Sequence, residues 1–169
     1  MKKTNIIGSG GHCRSLIPLI RQNNLAISGI YDNSFAFAEQ EIVLGIPIKG
    51  KADEIIKSEK EIVLAIGNNT LRETYFKKFE DRILKTNLIA NSAIIEDYVV
   101  MGLSNQVFSM AFINAGTKIG SNNIINTKAL IEHESNIGNH CHISIASVIG
   151  GRVKIGDRCF IGAGAIVKD

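Results

Sequence analysis

The sequence predicts two parts in one chain: a small Rossmann-like α/β domain over residues 1–88, then a parallel β-helix over residues 89–169. Three observations predict it. From Ile89 to Val167 every sixth residue is aliphatic, without an insertion, in a chain where Ile, Val, Leu and Met supply only 50 of 169 residues. The next residue is often glycine, as at Gly102, Gly120, Gly138, Gly150, Gly156 and Gly162. Upstream, short apolar runs alternate with helical patterns, and the first run ends in Gly8-Ser9-Gly10-Gly11. A period of six fits no α-helix, whose face repeats near 3.6. It fits a chain wound in flat sides of one hexad each, three sides to a coil of about 18 residues. β-branched Ile and Val suit the buried inner column.

In order, Asn5 to Ile7 reads as a strand ending at the glycines, and a helix follows with Leu16, Ile17, Leu19 and Ile20 inward and Asn23-Asn24 as its stop. Leu25 to Tyr31 is a second strand ending at Asp32-Asn33. Phe35 to Gly50 is a connection with a Gly45-Ile46-Pro47-Ile48 turn, and Ala52 to Ser58 a short helix. Glu61 to Gly67 is an apolar strand of the kind buried on both faces. Asn68 caps a helix from about Thr70 to Glu80, with Leu71, Tyr75, Phe76 and Phe79 inward. Ile83 to Leu88 is a last strand leading into the hexads. Strands alternating with helices imply a parallel sheet.

Composition excludes several functions. A net charge of +3 and no recognisable motif give no case for nucleic acid, and the absence of Trp weakens any case for stacking platforms. The N-terminal apolar run is too short for a signal peptide, and no stretch reaches membrane length, so a cytoplasmic protein without membrane insertion is expected. Cys13, Cys141 and Cys159 form no CxxC; the last two stand 18 apart and read as small reduced residues stacked in the core.

Two places carry chemistry. A strand, a glycine loop and a helix start can bind phosphate, because glycines admit close approach and the helix N-terminus favours anions. The third glycine of G-x-G-x-x-G falls on Cys13, and the domain is short for a dinucleotide, so a nucleotide diphosphate is favoured over NAD. Asp32 sits where a carboxylate meets a ribose or base. His12 either donates to a phosphate or caps the helix, and a tight structural turn is the alternative for the whole loop. In the β-helix, His133 lies at the third hexad position, near a corner and partly outside, flanked by Glu132 and Glu134. An accessible imidazole beside a carboxylate is suited to general-base work near neutral pH. A metal set of His133, His140, Cys141 and His142 is the rival, and with it a metal-dependent hydratase. It is disfavoured because Cys141 points inward and the other two histidines leave His133's face.

Together the motifs resemble the NeuD/PglD family of sugar O- and N-acyltransferases over the whole chain. They are Ile7-Gly8-Ser9-Gly10-Gly11-His12, Tyr31-Asp32-Asn33, Gly45-Ile46-Pro47-Ile48, Leu64-Ala65-Ile66-Gly67-Asn68-Asn69 with Arg72, and the hexads through Asn126 and Ile131-Glu132-His133-Glu134. The likeness is greatest to members that N-acetylate a UDP-4-amino-sugar. The resemblance implies a left-handed β-helix and a homotrimer with acetyl-CoA between neighbouring β-helices, no metal, and the nucleotide-sugar held by the N-terminal domain. It implies that Gly10, Gly11 and His12 meet the diphosphate end, and that Asp32, Asn33 and Gly67 line the remaining pocket. His133 would take the proton of the attacking amine, Glu134 would tune it, and Asn126 would position the acceptor. His142 would contact the acyl-CoA, with the backbone of Gly151 and Ala163 along its arm. Transfer would be direct, without an acyl-enzyme. Alternatives are a sialic-acid-type O-acetyltransferase, or a non-catalytic nucleotide-sugar-binding truncated homologue. The chain departs from the pattern at Asn33, where many relatives carry aspartate. It also ends at Asp169, where relatives run on, so missing C-terminal coils and weaker acyl-CoA binding are expected.

Overall fold

A computed structural model describes residues 1–34, 42–57 and 60–168, apart from the side chains of residues 56 and 57. The chain forms two compact units, Met1–Leu84 and Lys85–Asp169.

The first unit is a five-stranded sheet. Strands β1 (Lys3–Ile7), β2 (Ala26–Tyr31), β3 (Ile42–Val43), β4 (Ile46–Gly50) and β5 (Glu61–Leu64) lie in the order β3-β4-β2-β1-β5. All pairs are parallel except the β3/β4 hairpin. Helix α1 (Gly11–Gln22) buries Cys13, Leu16, Ile17, Leu19 and Ile20, and ends at Asn23 as expected. Helix α2 (Asn69–Lys78) is capped by the Asn68 side chain, which accepts from the Leu71 N–H.

Three expectations need correction, and a fourth holds with a change of helix type. Ile46-Pro47-Ile48 is a strand; only Leu44-Gly45 turn, both at positive φ. A proline in an apolar run reads as a turn, but here it sits opposite the two-residue strand β3, where a missing donor is tolerated. The short helix expected next is present as Ala52–Lys57, of the 3₁₀ kind. Tyr75, Phe76 and Phe79 pack on the core as expected, but Leu71 is about half exposed, and Arg72 is the fully buried residue of α2. Residues 83–88 form no continuous strand: Ile83 makes one parallel bridge to Ile62, and Leu88 already belongs to the β-helix. Residues 35–41 and Ser58, parts of two expected elements, lie outside the described residues.

The second unit is a parallel β-helix whose hexad column is met at every step. Each of its fourteen two-residue strands ends on a column residue. Three sheets make three faces. The first stacks β6 (Leu88–Ile89), β9 (Gln106–Val107), β12 (Ile124–Ile125), β15 (His142–Ile143) and β18 (Phe160–Ile161). The second stacks β7 (Ile94–Ile95), β10 (Phe112–Ile113), β13 (Leu130–Ile131), β16 (Val148–Ile149) and β19 (Ile166–Val167). The third stacks β8 (Val100–Met101), β11 (Lys118–Ile119), β14 (Asn136–Ile137) and β17 (Lys154–Ile155). Partners are 18 residues apart throughout, so the register of one coil predicts that of the next.

Val107, Ile113, Ile119, Ile125, Ile131, Ile137, Ile143 and Ile149 fill the interior with Ala111, Ala129 and Cys141, and Cys159 packs on the same core. The first residue of each strand points outward. On the second face these are Ile94, Phe112, Leu130, Val148 and Ile166, an apolar column; on the third they are Val100, Lys118, Asn136 and Lys154. At the corners, residues 98, 104, 110 and every sixth one to 164 take positive φ between 53° and 72°. Among these are residues as large as Tyr98, Met110 and Arg152. The winding demands this backbone, whatever the side chain prefers.

Candidate functional site

In the first unit the glycine loop leaves β1 at the carboxyl end of the parallel strands, where ligands of such sheets bind. Gly8 has φ 104°, and a β-carbon there would fall 2.6 Å from the carbonyl oxygen of Ala65, so no other residue fits. Asp32 ties this loop to the end of β2. The Ser9 N–H and hydroxyl donate to its Oδ2 at 2.6 and 2.8 Å, and the Ser34 N–H and hydroxyl donate to Oδ1 at 2.9 and 2.6 Å. Partial burial pushes the Asp32 carboxyl up, but the bonds from Ser34 and Ser9 outweigh it and hold it below its ordinary range. Both oxygens of Asp32 are therefore engaged within the chain.

Asn33 bridges two elements: its Oδ1 accepts from the Ala52 N–H and its Nδ2 donates to the Tyr75 hydroxyl, each at 2.8 Å. Burial, with the Asp53 carboxylate nearby, raises the Tyr75 phenol above its usual pKa. Arg72 lies beneath the β5–α2 loop and donates to the carbonyls of Ile66 and Gly67 at 3.0 and 3.3 Å and to Asn69 Oδ1 at 2.9 Å. A cavity of about 250 Å³ opens between these parts, lined by Ile7, Gly8, Asp32, Asn33, Ser34, Ile66, Leu71 and Tyr75. Gly10 and Gly11 begin α1 with open space over both α-carbons, Gly67 is equally open, and His12 is half-buried in the first turn.

In the β-helix, His133 and Glu134 occupy the corner between the second and third faces. The His133 side chain is 47% exposed, and its Nδ1 lies 3.3 Å from Glu134 Oε2, a long hydrogen bond. With Nδ1–H directed at the carboxylate, Nε2 is the nitrogen left to accept a proton. Arg152, one coil further on, brings its Nε to 4.0 Å from the same Glu134 oxygen. Glu132 turns to Asn114, which donates to its Oε2 at 2.6 Å.

Asn126, His142 and Ala163 lie elsewhere, on the first face and the corner after it. His142 is buried, 3.1 Å from Asn126 Nδ2 through Nε2, and packs edge-on against Phe160 at 5.1 Å. His140 is buried at the third corner, 2.8 Å from Asn122 Nδ2, and Cys141 faces the interior. Among the described residues no three His, Cys, Asp or Glu side chains come together as a metal site.

Comparison with known proteins bears on both units. The sequence model of the PglD N-terminal domain matches residues 3–79, and that of the bacterial transferase hexapeptide (six repeats) matches residues 134–169. In both parts the chain is similar to hexapeptide-repeat sugar acyltransferases of the NeuD/PglD type. The β-helix is accordingly the left-handed kind. No curated protein matches the chain. Among solved structures, PerB from Caulobacter crescentus, crystallised with CoA and GDP-perosamine, superposes with a TM-score of 0.78 at 27% identity, over 99% of this chain and 89% of that one. The acetyltransferase domain of PglB from Neisseria gonorrhoeae gives 0.80 at 23% identity, over 99% and 92%. WeeI from Acinetobacter baumannii gives 0.63 at 18%, over 99% and 81%. The last two likenesses speak to the fold.

Several residues of the candidate site were not singled out from sequence. Arg152 and Asn114 stand 18 residues from Glu134 and Glu132, so coil arithmetic finds both. Ser9 and Ser34 bracket Asp32 without any sequence signal beyond being short hydroxyl side chains in turns. Tyr75 was read as core, yet its hydroxyl reaches Asn33.

Proposed function

We propose that the chain moves an acetyl group from acetyl-CoA to the amine of a nucleotide-linked amino-sugar, with His133 as general base. The observation that carries this reading is the half-exposed imidazole on a rigid corner, with Nδ1 turned to Glu134 and Nε2 left to accept a proton. An amine attacks a thioester only when unprotonated. His133 Nε2 takes the ammonium proton as the C–N bond forms and the thiolate leaves, while Glu134 holds the ring's other nitrogen. The one hydroxyl next to this pair, that of Ser135, is buried and donates to the Gly150 carbonyl at 2.7 Å, and Cys141 is buried, which favours direct transfer.

The glycine loop and its cavity suit the nucleotide-sugar. Gly10 and Gly11 leave the α1 N-terminus open for a diphosphate, with His12 in the first turn. Asp32 keeps the loop in shape, while Asn33, Tyr75 and Gly67 offer polar groups and room for the remainder. The Asn33 amide carries both a donor and an acceptor, which suits the imide edge of uracil; a UDP-4-amino-sugar is the reading offered here, against the GDP-sugar bound by PerB.

A second copy completes the site in this reading. His133 and Glu134 stand at one edge of the apolar face, and Asn126, His142 and Ala163 on or beyond its other edge. If that face packs against a neighbour, as in a homotrimer, the two groups meet across the seam. The outward column Ile94, Phe112, Leu130, Val148 and Ile166 supports such packing. The exposed ring of Phe160 beside His142 suits the apolar arm of CoA.

The test is acetyl-CoA turnover with UDP- and GDP-linked 4-amino-sugars and with a sugar offering only hydroxyls. The expected result is turnover with an amino-sugar, UDP preferred, falling about 10²–10⁴-fold in His133→Ala. A wild-type rate in that variant removes His133 as the base, and turnover of the hydroxyl sugar alone converts the reading to O-acetylation.

A further inference from the structure

Gly151 stands one coil beyond His133, and the two meet in space. A β-carbon on Gly151 would lie 2.8 Å from both Cε1 and Nε2 of His133 and 3.3 Å from Cδ2. Non-bonded carbon atoms rest at about 3.5–4.0 Å, so the outer edge of the imidazole fills the room a side chain would take. The other β-helix glycines differ. Gly102, Gly120 and Gly138 sit against backbone carbonyls and a polar side chain of the next coil, and Gly156 and Gly162 face open space. Only at Gly151 do all three nearest atoms belong to an imidazole.

We infer that Gly151 is a positioning residue for the general base: its missing side chain is what lets His133 keep Nδ1 toward Glu134 with Nε2 beside the backbone of the next coil. A methyl group at 151 forces the ring outward. The ring then leaves the 3.3 Å contact with Glu134, and Nε2 leaves its place on the corner. Arg152 sharpens this, since its N–H donates to the His133 carbonyl at 2.9 Å and pins the two coils together, so the ring, not the backbone, must yield. The inference rests on the general-base reading above.

Gly151→Ala is expected to lower kcat at least tenfold, with KM for the nucleotide-sugar within twofold. The double variant Gly151→Ala/His133→Ala should then run within twofold of His133→Ala, because the methyl harms only through the ring. Gly156→Ala, where space is open, should keep the wild-type rate and melting temperature. A wild-type kcat in Gly151→Ala overturns the inference. So does a double variant ten times slower than His133→Ala, since the glycine would then act through its own backbone. If Gly151→Ala fails to fold, the double variant, which removes the clash, should fold; should it also fail, the glycine serves the coil and not the base. An NMR measurement separates this from the reaction itself. The α-protons of Gly151 should shift when His133 becomes alanine, and their indifference overturns the contact even where acetyl transfer is confirmed. Absence of acetyl transfer in the wild type with that shift present would instead remove the reaction and keep the contact.

Discussion

Asp32 was expected from its place at a strand end to meet a ligand, and it is found accepting four hydrogen bonds from Ser9 and Ser34. Such a carboxylate stabilises the fold in its charged form. Its folded pKa lies below the ordinary 3.8, so its contribution is fully present above that value and is lost as pH falls through the folded one. The first unit should therefore loosen on acidification from about pH 4 downward. Asp32→Asn should flatten that dependence, as read by amide exchange in residues 8–12 at pH 6 and pH 3. An unchanged acid profile would mean that other carboxylates carry it. Arg72 presents the same logic with a cation. Removing it leaves the carbonyls of Ile66 and Gly67 without its guanidinium, at a cost of about 1–3 kcal/mol for each group left unpaired. Arg72→Met should lower the urea midpoint and weaken nucleotide-sugar binding through the Gly67 loop. Arg72→Lys should not restore either, because an ammonium cannot fork between the two carbonyls and Asn69.

At the scale of the element, the hexad column predicts each strand and each inward residue of the β-helix, because a period of six leaves one winding that buries the column. The corners carry a second code that becomes legible at a period of 18. Gly102, Gly120, Gly138 and Gly156 follow one face only, and Ser121, Asn139 and Asp157 lean into the space that the first three leave. Asn139 Oδ1 accepts from the Ser121 N–H and Asp157 Oδ1 from the Asn139 N–H, so each coil is tied to the next. Gly120→Ala puts a carbon 2.5 Å from Asn139 Oδ1 and 2.7 Å from the Gly138 carbonyl, and is expected to cost about 1–3 kcal/mol in thermal or denaturant unfolding. Ala146, exposed at φ 53°, tests the winding itself: valine there should cost about 1–2 kcal/mol, and glycine should be nearly neutral. The α/β unit was less legible. Pro47 disguised a strand, since proline is read as a breaker before its neighbour is known to be a two-residue edge. Arg72 disguised a core position, since a buried cation is visible only once the carbonyls that receive it are in place. The Asp32 clamp and the His133–Gly151 contact needed coordinates, because both depend on which groups meet across a turn or a coil.

At the scale of the molecule, one chain does not gather the residues that the family resemblance assigns to acyl transfer. His133 lies at one border of the apolar face, and His142 on the face across the opposite border. They stand on different sides of one β-helix, so in the proposed reading their joint use takes two copies. That requirement makes a quantitative prediction. His133→Ala and His142→Ala, each inactive alone, are unfolded and refolded together in equal amounts. If each site takes its base from one protomer and its acyl-CoA contact from the next, chance assembly gives an intact base in about half the sites and an intact partner in half of those. About a quarter of wild-type activity should return, with kcat per intact site unchanged. Sites confined to one chain would return none, because every chain in the mixture lacks one of the two histidines. Replacing Leu130 and Val148 with aspartate, which places charge in the middle of the apolar column, should abolish both the assembly and the recovery while leaving the isolated β-helix folded.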